Sequence, residues 1–129
     1  MRFLDYSRGS QHTLVVMGGR SGPRTPSARA RREQLIAVRD SLSADARRHG
    51  VSNVAVVGSV ARGDARSDSD VDFLIDASPE TSLLDLAQLR KRFERALGTR
   101  VHLIDRESLE FGLDHLEREA IPLSSLTPS

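Results

Sequence analysis

The stretch Val56-Val57-Gly58-Ser59-Val60-Ala61-Arg62-Gly63-Asp64-Ala65-Arg66-Ser67-Asp68-Ser69-Asp70-Val71-Asp72-Phe73-Leu74-Ile75-Asp76 decides how this chain folds. The apolar, β-branched run Val54 to Val57, bounded by Asn53 and Gly58, predicts a short buried strand. Val71 to Ile75, interrupted by Asp72, predicts a second. The small and polar residues from Ser59 to Ser69 suit a turn or short helix followed by a loop. Asp70 and Asp72 therefore stand where a strand begins, ten residues after Gly58-Ser59.

Two carboxylates at i and i+2 on a strand share one face, which leaves Val71 and Phe73 for the core. Like charges that close require a cation. Magnesium held by one or two carboxylates and by substrate phosphates is the usual arrangement for phosphoryl or nucleotidyl transfer, so Asp70 and Asp72 are candidate metal ligands. Gly58 lets the backbone approach a phosphate closely, Ser59 adds a hydroxyl donor, and Arg62 can reach the same oxygens. A tight turn with a hydroxyl cap is the ordinary reading of Gly58-Ser59 alone, and the aspartate pair is what displaces it.

Outward from this centre the pattern is alternating helix and strand. Thr25-Pro26-Ser27 marks a helix start, with a hydroxyl at the cap and proline at the first helical position. Leu35, Val38, Leu42 and Ala46 form its apolar stripe, and the helix is expected to run to about His49, with Gly50 as its stop. Ser82 opens another helix that is expected to bury Leu83, Leu86, Leu89, Arg90, Phe93 and Leu97 along one face and to end at Gly98. Arg100 to Asp105 predicts a third strand, and Leu109 to Glu119 a last amphipathic helix closed by Pro122. The expectation is a small α/β (α+β) domain over residues 25–123, with a mixed or largely antiparallel sheet of three to four strands and packed helices. A basic, poorly ordered extension over 1–24, with at most an edge strand at Leu14 to Met17, and a tail over 124–129 complete the expected division.

Composition excludes several classes of function. At 129 residues the chain has the length of one domain, and 19 basic residues against 18 acidic give no whole-chain argument for nucleic acid or a membrane surface. Seven arginines between Arg2 and Arg32 face a single acid, Asp5, and a solvated tail is the expected reading of that imbalance. Arg90-Lys91-Arg92 reads as a solvated helix face, so direct nucleic-acid binding is not expected. The absence of cysteine removes disulfides, thiol nucleophiles and thiolate metal sites. No apolar run approaches the roughly 18 residues of a membrane span, and the cytoplasm is the expected compartment.

Gly-Ser, ten residues, then Asp-x-Asp resembles the nucleotidyltransferase fold of the DNA polymerase β superfamily. The fuller string Gly58-Ser59-Val60-Ala61-Arg62-Gly63 with Ser67-Asp68-Ser69-Asp70-Val71-Asp72 is similar to its smallest members, the minimal nucleotidyltransferases of the MNT type. The likeness extends from about Leu35 to Leu123, ending in Arg118-Glu119-Ala120-Ile121-Pro122-Leu123. The resemblance implies that Gly58 and Ser59 hold the triphosphate of ATP and that Asp70 and Asp72 hold magnesium. It further implies an antitoxin that inactivates a HEPN-type toxin encoded nearby by adding AMP to a toxin tyrosine. Transfer to a small molecule such as an aminoglycoside is disfavoured, because enzymes of that kind need an additional substrate domain.

The chain departs from the family pattern at one position. Active members of the family it resembles usually carry a third carboxylate on the next strand, where this chain has His102 in Arg100-Val101-His102-Leu103-Ile104-Asp105. A neutral histidine can ligate a metal or accept the attacking hydroxyl's proton, but it brings no negative charge and suits magnesium poorly. His102 therefore stands as a catalytic candidate with two readings, a residual ligand or base, or the mark of a site that binds without turnover. Asp105 lies an odd number of residues further on, so a regular strand directs it to the opposite face.

Overall fold

Thr25 serves two neighbours with one hydroxyl. Its Oγ1 accepts the Ala28 N–H at 3.0 Å and donates to the Ala65 carbonyl at 2.5 Å, so the start of the first helix is tied to the loop between the two central strands. In the computed structural model, which describes residues 24–128, helix α1 spans Pro26–Arg48, with proline in the first turn and His49 as the C-terminal cap. Residues 1–23, including the Leu14 to Met17 run, lie outside the described residues. The buried stripe of α1 is Ala28, Leu35, Leu42 and Ala46, as helical spacing requires, with Val38 packed at its margin.

Strand β1 (Val51–Val57) is longer than the expected Val54 to Val57. Asn53 adopts a positive φ of 52°, and the register with the next strand shifts between Ser52 and Ala55, so a bulge admits the extra residues. Asn is among the residues enriched in that conformation, and the Asn53 amide donates across the strands to Asp76 Oδ2 at 2.7 Å. A five-residue helix α2 (Gly58–Arg62) follows, stopped by Gly63 with φ +89°. β2 (Val71–Ala77) pairs antiparallel with β1, and helix α3 (Leu83–Leu97) leads to β3 (Val101–Asp105), parallel to β2. A 3-10 turn (Arg106–Ser108), helix α4 (Leu113–Glu119) and the two-residue strand β4 (Ile121–Pro122) complete the order, with β4 antiparallel to β1. The sheet order β3-β2-β1-β4 makes a four-stranded mixed sheet, the architecture expected for a small nucleotidyltransferase fold.

The two faces of the sheet carry unequal cores. Val71, Phe73 and Ile75 of β2 pack under α1 and α3 with Leu35, Leu42, Leu89 and Phe93, and the Phe73 and Phe93 rings meet edge to face at 5.1 Å. Each such side chain contributes roughly 1.5–3 kcal/mol by leaving water. On the other face only Val57, Leu74, Ile104 and Leu116 form a buried cluster beneath α4. That thinner cover leaves the α4 face of β2 and β3 partly open beyond the cluster, and strand alternation sends Asp72 and His102 there.

Two expectations about helices are corrected. Leu83 is 85% exposed, and it does not join Leu89, Phe93 and Leu97 in the core. The first turn of α3 is held by a capping box between Ser82 and Asp85, which needs no apolar contact. The last helix starts at Leu113, four residues later than Leu109, because Gly112 takes φ +86° and Asp105 accepts the Glu107 N–H to close a separate 3-10 turn. Packing continues past Pro122, with Leu123 and Leu126 buried in the main core and the Arg39 guanidinium donating to the Leu126 carbonyl. Among the described residues no helix is long and apolar enough to cross a membrane.

Candidate functional site

Val57 pairs with Asp72, so the β1–α2 junction and the aspartate pair meet at one end of the sheet. Gly58 turns the chain there with φ +76°. A Cβ at this position would lie 2.8 Å from Asp72 Oδ2, closer than real Cβ contacts come, so the carboxylate occupies the space a side chain would need. Ser59 follows, half-buried, and its carbonyl accepts the N–H groups of Gly63 and Asp64, each at 3.0 Å.

The register between β2 and β3 places His102 beside Asp72. Its Nδ1 is 3.0 Å from Asp72 Oδ1 and its Nε2 is 3.6 Å from Asp70 Oδ2, so one ring reaches both carboxylates. Side-chain exposures of 32% for Asp70, 19% for Asp72 and 15% for His102 describe a recess open at the Asp70 side. Asp72 Oδ1 is buried against the His102 ring without an aligned hydrogen bond, so its acceptor capacity is not fully used in this arrangement. Among the described residues no group of three or more His, Cys, Asp or Glu side chains is arranged to hold a metal ion by itself. Asp70 and Asp72 offer instead the two-carboxylate donor set that magnesium combines with water and substrate phosphate.

The structure thus brings Gly58, Asp70, Asp72 and His102 together, with Ser59 in the adjoining turn. Arg62 is engaged elsewhere. Its Nη1 lies 3.3 Å from Glu119 Oε1 and its Nε lies 3.5 Å from Asp64 Oδ2, and the side chain is only 10% exposed. Asp64 is accordingly an ion-pair partner of Arg62 at 31% side-chain exposure, while Asp68 and Arg66 are exposed loop residues. Asp105 faces away from the recess and caps the turn that follows β3.

Glu119 is the residue that reading the sequence left without a role. Its Oε2 accepts the Gly58 N–H at 2.5 Å, although the two residues are 61 apart in sequence. Its only signal was membership of the closing segment Arg118 to Leu123, whose likeness to a family marks the position without saying what the carboxylate touches.

A nucleotidyltransferase-domain family model matches residues 37–123. A protein adenylyltransferase of Thermococcus cleftensis is 44% identical over 66 residues, covering 51% of this chain and 67% of that protein. A Methanocaldococcus jannaschii protein named as a protein adenylyltransferase is 35% identical over 75 residues, covering 57% of this chain and 81% of that protein. A solved structure of a minimal nucleotidyltransferase superposes with a TM-score of 0.65 at 41% identity, covering 70% of this chain and 94% of that one. The matched span contains every element from the second half of α1 to β4, including the recess itself, and the chain therefore belongs to the nucleotidyltransferase-domain family as one of its minimal enzymes.

Proposed function

We propose that this enzyme transfers AMP from ATP to a hydroxyl on a partner protein, with a tyrosine of a HEPN-type toxin as the acceptor and the chain itself as the antitoxin. The observation that carries the reading is the closeness of the Gly58 turn to the Asp72 carboxylate, which leaves no room for a Cβ there, on the face shared by Asp70 and His102. A phosphate held at the turn would lie beside the carboxylate pair. The relatives named for protein adenylylation support AMP and a protein acceptor.

In this reading Gly58 and Ser59 hold the triphosphate, Ser59 through its hydroxyl and Gly58 by letting the chain approach closely where it has no side chain, since its own N–H is donated to Glu119 Oε2, and Asp70 and Asp72 are the residues that would hold magnesium. When bound, magnesium neutralises charge on the phosphates. The acceptor oxygen forms a bond to the α-phosphorus while the bond to the bridging pyrophosphate oxygen breaks, and the hydroxyl proton leaves to a basic group on this face. His102 and Asp70 are the candidates for that proton, because both border the open side of the recess. Arg62 supports the turn from behind through Glu119.

His102 favours a second reading, in which the chain neutralises its partner by contact and turns over weakly or not at all. The ring spans both carboxylates where active members supply a third negative charge. Intact-mass spectrometry of the co-expressed genomic neighbour separates the two readings. A gain of one or more AMP units with the wild-type chain, absent with the Asp70→Asn, Asp72→Asn double variant, is the expected result. An unmodified neighbour that forms a stable complex with both versions would leave the binding reading in its place.

A further inference from the structure

We infer that Glu119 is a positioning residue that sets the geometry of the Gly58 turn and, through it, the affinity for nucleoside triphosphate; the affinity part rests on the nucleotidyl-transfer reading above. Gly58 and Arg62 are the first and last residues of α2, and one carboxylate holds both. Glu119 Oε2 accepts the Gly58 N–H at 2.5 Å, and Oε1 lies 3.3 Å from Arg62 Nη1. The clamp is largely shielded from water, with side-chain exposures of 10% for Arg62 and 11% for Glu119. Such a pair is screened far less than a surface ion pair, and losing one partner leaves the other charge poorly compensated.

The turn depends on this clamp because α2 cannot hold its own shape. Five residues are too few for a helix to persist without tertiary contacts. Its C-terminal end has Gly63, whose carbonyl accepts the Thr25 N–H at 2.9 Å. Its N-terminal end has no side-chain cap of its own, and Glu119 supplies the acceptor from α4. Because a Cβ at Gly58 would already fall 2.8 Å from Asp72 Oδ2, the turn and the carboxylate pair are close neighbours, and a change in the turn alters the spacing between them. The closing segment thus acts on a site that it does not line.

A contrast on the same helix isolates the effect. Glu117 also anchors α4, through Arg106 Nε at 3.1 Å, but it does not contact α2 in any hydrogen bond or ion pair of the structure. The test compares full-length wild type with Glu119→Ala, Glu119→Gln and Glu117→Gln by three readouts: thermal melting, the Gly58 amide in 15N–1H spectra, and ATP binding by calorimetry with magnesium present. Glu119→Ala is expected to weaken ATP binding roughly 10- to 100-fold, the range for a hydrogen bond to a charged group, and to move the Gly58 amide while the protein remains folded. Glu119→Gln keeps an acceptor for that amide but loses the charge facing Arg62, so its loss is expected to be smaller. Glu117→Gln is expected to match wild type in both the amide and ATP binding.

A Gly58 amide unmoved in folded Glu119→Ala, or equal losses of ATP binding in Glu117→Gln and Glu119→Ala, would overturn the inference. If Glu119→Ala does not fold, the amide shift and binding of Glu119→Gln decide the question by the same comparison. A wild-type chain that binds no ATP, yet whose Gly58 amide responds to Glu119 alone, would refute nucleotidyl transfer and leave the structural clamp standing.

Discussion

His102 and Asp72 stand side by side across the parallel β2–β3 pair, with the imidazole Nδ1 3.0 Å from Asp72 Oδ1 and the Nε2 3.6 Å from Asp70 Oδ2. A carboxylate in place of the ring would add a negative charge and a hard oxygen donor to a site that now has two. His102→Asp is therefore expected to tighten magnesium binding about tenfold, equivalent to about 1.4 kcal/mol, and to raise adenylyl transfer. Calorimetric titration with magnesium chloride checks it, and an unchanged or weaker affinity would show that the ring does not limit the site.

Gly58→Ala combines two penalties. The backbone φ of +76° is unfavourable for an L side chain, and the new methyl would come 2.8 Å from Asp72 Oδ2. A stability loss of about 1–3 kcal/mol in urea denaturation is expected, together with loss of adenylyl transfer to the partner protein. A variant with wild-type stability and transfer would mean that the turn relaxes without disturbing the carboxylate.

Leu126 and Leu83 reverse the ranking that sequence position implies. Leu126 sits three residues from the chain terminus yet is 1% exposed, whereas Leu83 lies inside an amphipathic helix and is 85% exposed. Leu126→Ala is expected to cost about 2–5 kcal/mol, and Leu83→Ala to stay within about 0.5 kcal/mol of wild type. Parallel thermal and urea melts check both.

Asp85 gives α3 a dependence on acid. The Ser82 backbone N–H donates to its carboxylate and the Ser82 side chain assists, which lowers its pKa below the usual carboxylate value. Because the folded value is the lower one, the stabilisation is present above the unfolded value of about 3.9 and is lost as pH falls through the folded value. Ser82→Ala should cost about 1 kcal/mol at pH 7. Asp85→Asn should be less stable than wild type at pH 7, with the gap closing below about pH 4. A gap that stayed constant across urea melts at pH 7 and pH 3 would count against this origin.

The elements that local chemistry controls were legible in the residues themselves. Thr25-Pro26, Ser82 and Gly98 bound helices through hydrogen bonds and backbone preferences that span only a few residues. Asp70-Val71-Asp72 shares its carboxylates on one face because strand alternation is a property of the backbone. Tertiary structure decided what depends on partners distant in sequence. The bulge at Asn53 lengthened β1, and the left-handed Gly112 divided an apparently continuous helical pattern. The thin cover of the α4 face left Asp72 and His102 in a recess, and the return of the chain from α4 brought Glu119 to Gly58 across 61 residues. Spacing can place a carboxylate on a helix, but only the packing of that helix determines which amide and which guanidinium it meets.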